Sequence, residues 1–347
     1  MPNQPNSTTT AFGEVQLHPA WDELLRWELH SQPLFRQFVS APGLVSPTNN
    51  ANVGYIPVQA YEDVAEDRHV LDEVVAVDQQ QAKPLYYVRI RVTEHGKRIG
   101  RTKLLRDSAY IPVDEQLVQK MTVHAADTMD ALAADQLYDG RQWRSSGHSP
   151  EVDGYSVTDT EQPFNQVVGV TTGGLVNDSY DPDVNRTDIT SDHTLTSRVS
   201  ARIVARLRDA SAMPWQGTDF VGIMSNDTAI DFQEDTGVLG WSEPHKRVDT
   251  TPIYAGSVGR YRGVEWIVHP RARKLEGAGS GGANVHQTLI FGRDVLAEWT
   301  KDEVRAGLEP EFDPWRRHIG LTWYYQGGFA IFRQEPLWRI EHGSAEN

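Results

Sequence analysis

The sequence predicts an α+β fold. Three observations carry that reading: a helical pattern of unusual length over 114–140, short alternating strands over 219–292, and two segments near the C-terminus that are apolar on both faces. At 347 residues the chain is long enough for two compact units that share a core.

In chain order, residues 1–12 are polar and rich in Asn, Ser and Thr, the composition of a tail, and order is expected from Phe12. A helix start follows at Pro19, with Asp22 and Glu23 in the first turn, where the helix dipole favours acids. Leu24, Trp27, Phe35 and Phe38 supply its apolar side. Pro33, Pro42 and Pro47 then break the chain into an extended connector, so this part is an arm more than a domain.

Charge separates sharply in the next stretch. Residues 62–78 hold seven acids against Arg68, and residues 89–106 hold seven bases against Glu94. Val88, Ile90 and Val92 alternate with Arg89 and Arg91, and Glu94-His-Gly-Lys97 is expected to turn the chain into Ile99-Gly-Arg-Thr-Lys-Leu. The result is a two-stranded ribbon with its charge outward. A charge run is satisfied by solvent alone, but a long isolated hairpin is marginal in water and needs a surface to lie on. An acidic surface on a second copy would serve. The candidate contacts between copies are Arg89, Arg91, Lys97, Arg98, Arg101 and Lys103 on the basic side, with Glu62, Asp63, Glu66 and Asp67 on the acidic side.

The clearest element runs from Asp114 to Gly140. Leu117, Met121, Ala125, Met129, Leu132 and Leu137 recur at helical spacing, Asp114 is placed to cap the start and Gly140 to close the end. The helix is expected to be about 37 Å long at 1.5 Å per residue. Its Ala125, Ala126, Ala131, Ala133 and Ala134 suit close approach of another backbone. Residues 144–193 are polar and turn-rich. A second helix follows at 194–210, with Leu195, Val199, Ile203 and Leu207 on one face.

Strands then alternate: Asp219–Met224, Val258–His269 and Thr288–Gly292, interrupted by the glycine-rich loop Gly277–Asn284. Ile319–Tyr325 and Gly328–Arg333 close the fold as central strands.

Composition excludes several functions. Cysteine is absent, which removes disulfides, thiolate nucleophiles and thiolate-bound metal. A net charge of −15 opposes general binding to phosphate backbones. There is no run of about 18 apolar residues, so no membrane partner is expected. The N-terminus lacks a basic start and apolar stretch, so folding in a cytoplasm is expected.

Gly277 to Gly282 fits G-x-G-x-x-G, but the segments before and after it lack the strand and helix of a dinucleotide site. Asp181, Asp183 and Asp188, with Asn185 and Asp192, have the alternation of a calcium loop. Arg186 stands where such a loop requires Gly and Asp192 where it requires a bidentate Glu, so a solvated acidic turn is the expectation. No catalytic residue and no cofactor is expected.

Several motifs in order resemble one family. They are Arg91-Val-Thr-Glu-His-Gly-Lys-Arg-Ile-Gly-Arg-Thr-Lys-Leu-Leu-Arg-Asp before the long helix, then Tyr254-Ala-Gly-Ser-Val-Gly-Arg-Tyr-Arg-Gly-Val-Glu-Trp-Ile-Val-His, then Ile290-Phe-Gly-Arg-Asp-Val-Leu. The last is Phe312-Asp-Pro-Trp-Arg-Arg-His-Ile-Gly-Leu-Thr-Trp-Tyr-Tyr-Gln-Gly-Gly-Phe-Ala-Ile-Phe through Arg339-Ile-Glu. Over about residues 86 to 341 the set resembles the major capsid proteins of tailed phages, whose fold is named after phage HK97.

The resemblance implies an N-terminal tail and arm (1–54), an E-loop hairpin (55–108), and a P-domain (109–214) with a spine helix at 114–140 and an inserted polar segment at 144–193. An A-domain (215–305) and a C-terminal return to the P-domain (306–347) complete it. It further implies hexamers and pentamers tiling an icosahedral virion shell around double-stranded DNA, assembled in a host bacterial cytoplasm with scaffold, portal and decoration proteins as partners. DNA is enclosed without sequence-specific contact. An encapsulin-like compartment is the alternative within the same fold, and an acidic-site hydrolase or calcium-dependent binding protein the alternative outside it. Arm and ribbon are expected to be thin in a monomer and buried only by assembly.

Overall fold

The computed structural model describes residues 33–40, 53–58, 86–109, 113–146, 159–161, 166–168, 186–234, 257–308, 315 and 317–345. The expected tail, the helix start at Pro19 and the acidic stretch 62–78 lie outside them. In chain order the first strands are β1 (Val39–Ser40), β2 (Val53–Val58), β3 (Tyr86–Arg91) and β4 (Thr93–Thr102), followed by α1 (Lys103–Ser108) and α2 (Val113–Asp139). Next come β5 (Trp143–Ser146), β6 (Asp159–Glu161), β7 (Gln166–Val168), α3 (Ser197–Asp209), β8 (Phe220–Met224) and α4 (Asn226–Glu234). The rest is strand: β9 (Ser257–Tyr261), β10 (Val264–Val268), β11 (Lys274–Leu275), β12 (Val285–Phe291), β13 (Leu296–Leu308), β14 (His318–Ile331) and β15 (Leu337–His342).

Three sheets result among the described residues. One has the order β1-β13-β14-β4. A second runs β7-β15-β12-β8-β10-β9 with β11 beside β12, and a third runs β2-β3-β5-β6.

The long helix forms over nearly the span its sequence marks. Leu117, Met121, Ala125, Met129 and Leu137 are buried, and Ala133 and Ala134 join them, whereas Ala126 and Ala131 face outward because they lie off the apolar stripe. Where α2 ends, Gly140 N–H bonds to the Gln136 carbonyl and the buried guanidinium of Arg339 donates to the Leu137 and Gly140 carbonyls. A cation thus satisfies the carbonyls that a helix C-terminus leaves over.

The seven-stranded sheet is apolar on both faces because its side chains alternate. Val221, Ile223, Leu289 and Phe291 face the cluster under α2, while Phe220, Met224, Trp266, Ile290 and Ile340 face α3 and α4. The expected faces of both helices are therefore the buried ones. At the β9–β10 turn, Arg262 (φ 51°) and Gly263 (φ 80°) both take the left-handed region, the geometry of a tight two-residue hairpin. The Gly277–Asn284 loop joins the antiparallel strands β11 and β12, so no helix follows it and the phosphate-binding context is missing.

Four expectations change. Glu94–Lys97 does not turn the chain: it lies inside β4, which pairs with β14 over its whole length, from His318↔Thr102 to Gly327↔Thr93. β3 pairs instead with β2, in register from Val53↔Arg91 to Val58↔Tyr86, and on its other side with β5, so the hairpin of this region runs from 53 to 91 in sequence. The two expected C-terminal strands are one, β14, central between β13 and β4. Finally the fold does not close on β14: β15 follows it and pairs with β12, in the sheet built by 220–291.

The arm also differs from expectation in the part described. Leu34, Phe35 and Phe38 are buried, Phe38 packs on Phe291 and Trp215 at ring distances of 5.0 and 5.3 Å, and β1 pairs in parallel with Leu296 and Ala297 of β13. These residues find their cover within the subunit.

Candidate functional site

Alternation in β3 splits its residues cleanly. Val88 and Ile90 are buried in a cluster with Ile56, Val58, Ala297 and Phe332, which turns Arg89 and Arg91 to the other face. There they line an open cleft of about 400 Å³ together with His95 of β4, Asp139 and Arg141 at the end of α2, and Phe329 of β14. The cleft is shaped by a close approach of backbones: a Cβ on Gly328 would lie 2.0 Å from the Arg91 carbonyl oxygen. Only glycine lets β14 pass under the β3–β4 corner. Asp139, the one carboxylate among the lining residues, is ion-paired to Arg273, so the lining is basic.

The remaining bases occupy different settings. Lys97 and Arg98 are exposed on β4, an edge strand paired among the described residues only with β14, and Lys103 is exposed at the start of α1. Charged side chains on such an edge discourage indiscriminate strand pairing. Arg101 departs from the expectation of outward charge. It is 3% exposed, on the face of β4 it shares with Ile99, which packs on Leu105 and Leu117.

Lys97 lies close enough to α2 that its charge acts on His124, whose pKa falls below the ordinary value, first through burial and then through that ammonium, with Asp127 opposing. His124 also packs against the Trp323 ring at 5.7 Å, a structural histidine between helix and sheet.

Glu62, Asp63, Glu66 and Asp67 lie outside the described residues, as do Asp181 and Asp183. Asp188 is exposed in a short helical turn, and among the described residues no three His, Asp or Glu side chains converge as a metal site would require.

Two residues were missed. Asp130 is fully buried, and its carboxylate accepts the backbone N–H groups of Phe35 and Arg36 at 2.6 and 3.1 Å and a guanidinium N–H of Arg271 at 3.3 Å. Its signal was positional: it stands four and seven residues before the buried Ala134 and Leu137, on the apolar side of α2. Arg141 follows the helix-closing Gly140, where a base favours the helix C-terminus.

No family model and no curated protein matches the sequence. Solved structures do. The chain is similar over 100% of both lengths to a chain of the cyanophage Pam1 capsid asymmetric unit, with a TM-score of 0.69 and 15% identity. It is similar over 98% of both lengths to the capsid of Ralstonia phage GP4, with a TM-score of 0.66 and 13% identity. It also covers 98% of itself and 99% of a chain in the capsid of a native GTA particle, with a TM-score of 0.60 and 13% identity.

This chain has the phage capsid fold. The α+β, HK97-like architecture expected from the motif order is therefore the one observed, and it is shared along the entire length, including the stretches around α2 and the seven-stranded sheet. Within the capsid fold the basic cleft sits where three elements meet: the base of the β2–β3 hairpin, the end of the long helix and the central strand β14.

Proposed function

We propose that this chain is a major capsid protein whose copies assemble as hexamers and pentamers into an icosahedral shell around phage double-stranded DNA. The observation that carries the reading is the full-length likeness to chains that are themselves described as capsids. The chain acts as a structural protein, its output being contact between copies. Its place is the virion, after assembly in a host bacterial cytoplasm with scaffold and portal proteins.

Within this reading the arm covers residues 1–54, the E-loop 55–108, the P-domain 109–214 with part of 306–347, and the A-domain 215–305 joined by β15. The pairing of β12 with β15 supports that last adjustment. Between copies, Arg89, Arg91, Lys97, Arg98 and Lys103 meet Glu62, Asp63, Glu66 and Asp67. Opposite charge in two stretches of one chain gives complementarity between identical subunits, which sets register and raises encounter rate.

Negative-stain microscopy of the purified chain, with and without a scaffold protein, tests the reading. Rings and closed shells are the expected result. A chain that stays a compact monomer at every concentration and with every scaffold overturns it.

A further inference from the structure

The sheet β1-β13-β14-β4 has two open edges at one level. β1 pairs with β13 only at Leu296 and Ala297, and beyond them no strand among the described residues pairs the outer side of β13. β4, within the same set, pairs only with β14. Exposure agrees. A strand lying on a core buries every second residue, yet Glu303 to Gly307 of β13 are all exposed, and so are Thr93, Glu94, Gly96, Lys97 and Arg98 of β4. Ala306, Trp323 and Lys97 stand in one row across the sheet, and Gly307, Thr322 and Arg98 in the next.

The edges differ in how they are guarded. β4 carries the exposed bases Lys97 and Arg98, charges that keep one such edge from pairing with another of its kind. β13 bears no charge at Ala306 and Gly307, and a Cβ added to Gly307 would have no atom within 4 Å. Arg305 does not guard that edge, because its guanidinium pairs with Asp302 at 3.0 Å and lies over the Tyr324 ring at 5.9 Å. The register shifts of β13 end at Arg305, and Arg305 to Leu308 pair regularly with β14, which sets their outer backbone groups in ladder order. Charge then distinguishes the edges. Residues 302–313 hold five acids (Asp302, Glu303, Glu309, Glu311 and Asp313) against Arg305, whereas the exposed bases Lys97, Arg98 and Lys103 lie on or just after β4.

We propose that β13 of one copy adds as a strand to the β4 edge of the next copy, an inference that rests on the capsid reading. Both strands run antiparallel to β14 and hence in one direction, so copies set side by side in like orientation join β13 parallel to β4 and continue the sheet. Unlike surfaces meet in this contact, so it repeats from copy to copy and closes into a ring where the rotation allows. Two β4 edges would set Lys97 and Arg98 against themselves, whereas β13 brings acids to them. The contact engages the backbone of β4 and leaves Arg89 and Arg91, in the cleft, to the acids 62–67.

The chain holds no cysteine, so introduced thiols meet only each other. The full-length double variants Lys97→Cys/Ala306→Cys and Arg98→Cys/Gly307→Cys, one for each face of the ladder, are assembled, oxidised with glutathione disulfide and run on a non-reducing denaturing gel. Paired strands lie within disulfide reach. The expected result is a ladder of covalent dimers and larger multimers from at least one double variant, and monomer from each of the four single variants. A covalent dimer from any single variant overturns the proposal, since like edges would then be meeting. A second measurement needs no thiol: Ala306→Lys sets a charge toward Lys97 of the neighbour and is expected to lower particle yield at least tenfold with an unchanged subunit melting temperature. Normal particles in which both double variants stay monomeric, or wild-type yield from Ala306→Lys, overturn the contact while leaving the capsid reading intact. A wild-type chain that never assembles defeats the capsid reading and this contact with it.

Discussion

Asp130 of α2 holds Phe35 across 95 residues of sequence, its carboxylate accepting the Phe35 backbone N–H at 2.6 Å. The bond belongs to a set: Arg36 N–H and the Arg271 guanidinium share the same buried carboxylate, and the Arg36 side chain forks onto Glu298 at 2.8 and 3.2 Å. Carboxylate, backbone donors and two buried phenylalanines together fasten the arm to the long helix.

Replacing Asp130 by Ala leaves the Phe35 and Arg36 backbone donors without their acceptor, while Arg271 keeps its ion pair to Asp127 at 2.7 Å. Buried donors stranded in this way cost about 1–3 kcal/mol. The expected outcome is a stability loss of that size in urea unfolding, with faster proteolytic cleavage near Phe35. Stability within about 0.5 kcal/mol of wild type would show that water satisfies these donors and that burial of the phenylalanines alone holds the arm.

Gly328→Ala is expected to act on the cleft through the backbone. A Cβ at 2.0 Å from the Arg91 carbonyl must displace β14 or the β3–β4 corner. Overpacking of this kind costs about 1–3 kcal/mol. Amide exchange should rise first in β3 and the start of β4, where the displaced carbonyl sits, and exchange unchanged there contradicts the close approach.

The charge contact between copies predicts a separation of folding from assembly. Arg89, Arg91 and Arg98 all changed to Glu should leave the far-ultraviolet circular dichroism of the subunit unaltered and lower particle yield at least tenfold. Arg89 and Arg91 line the cleft and Arg98 is exposed, so none of the three fills the apolar core. Intact particles in normal amount would count against pairing of these bases with acids 62–67.

Acid should destabilise the subunit through His342. The ring is buried, with Nδ1 bonded to the Gly343 carbonyl, Nε2 to the Thr288 hydroxyl, and His286 stacked at 6.0 Å. Burial pushes its pKa down to about 4, with the nearby His286 acting in the same direction and the Gly343 bond opposing. Between pH 6.5 and 4 the unfolded chain therefore binds a proton that the folded chain refuses. Stability is full above the ordinary histidine value and is lost as pH falls, by about 3 kcal/mol once pH passes 4. Urea midpoints at pH 7.5, 5.5 and 4.5 should show this slope, and His342→Gln should flatten its share of it. An unchanged slope in that variant assigns the acid sensitivity to other groups.

Legibility in the sequence followed the range of the interactions. The stripe Leu117–Leu137 announced α2 because helical hydrogen bonds are local and the buried face repeats every turn. The apolar face of α3 was readable for the same reason. β13 was not, since Lys301, Asp302, Glu303 and Arg305 break alternation where register shifts interrupt its pairing with β14. Glu94-His-Gly-Lys97 looked like a turn because glycine and polar residues favour one, yet ten paired residues with β14 override that preference. Of the candidate site, Arg89 and Arg91 were legible as outward bases, whereas burial of Arg101 and the role of Arg141 depend on which elements lie beside them.

Composition and periodicity alone determined the α+β class, the long helix, the exclusion of thiol chemistry and the division of charge between 62–78 and 89–106, because each depends on residues close together in the chain. Tertiary structure alone decided that β3 pairs with β2, that β15 joins the sheet of β12, that Asp130 receives the arm, and that three arginines from two distant segments share one cleft. Those outcomes turn on pairings between residues far apart in sequence. Such contacts form only where packing and hydrogen bonding outweigh local preference, and no short window of residues contains both sides of that balance.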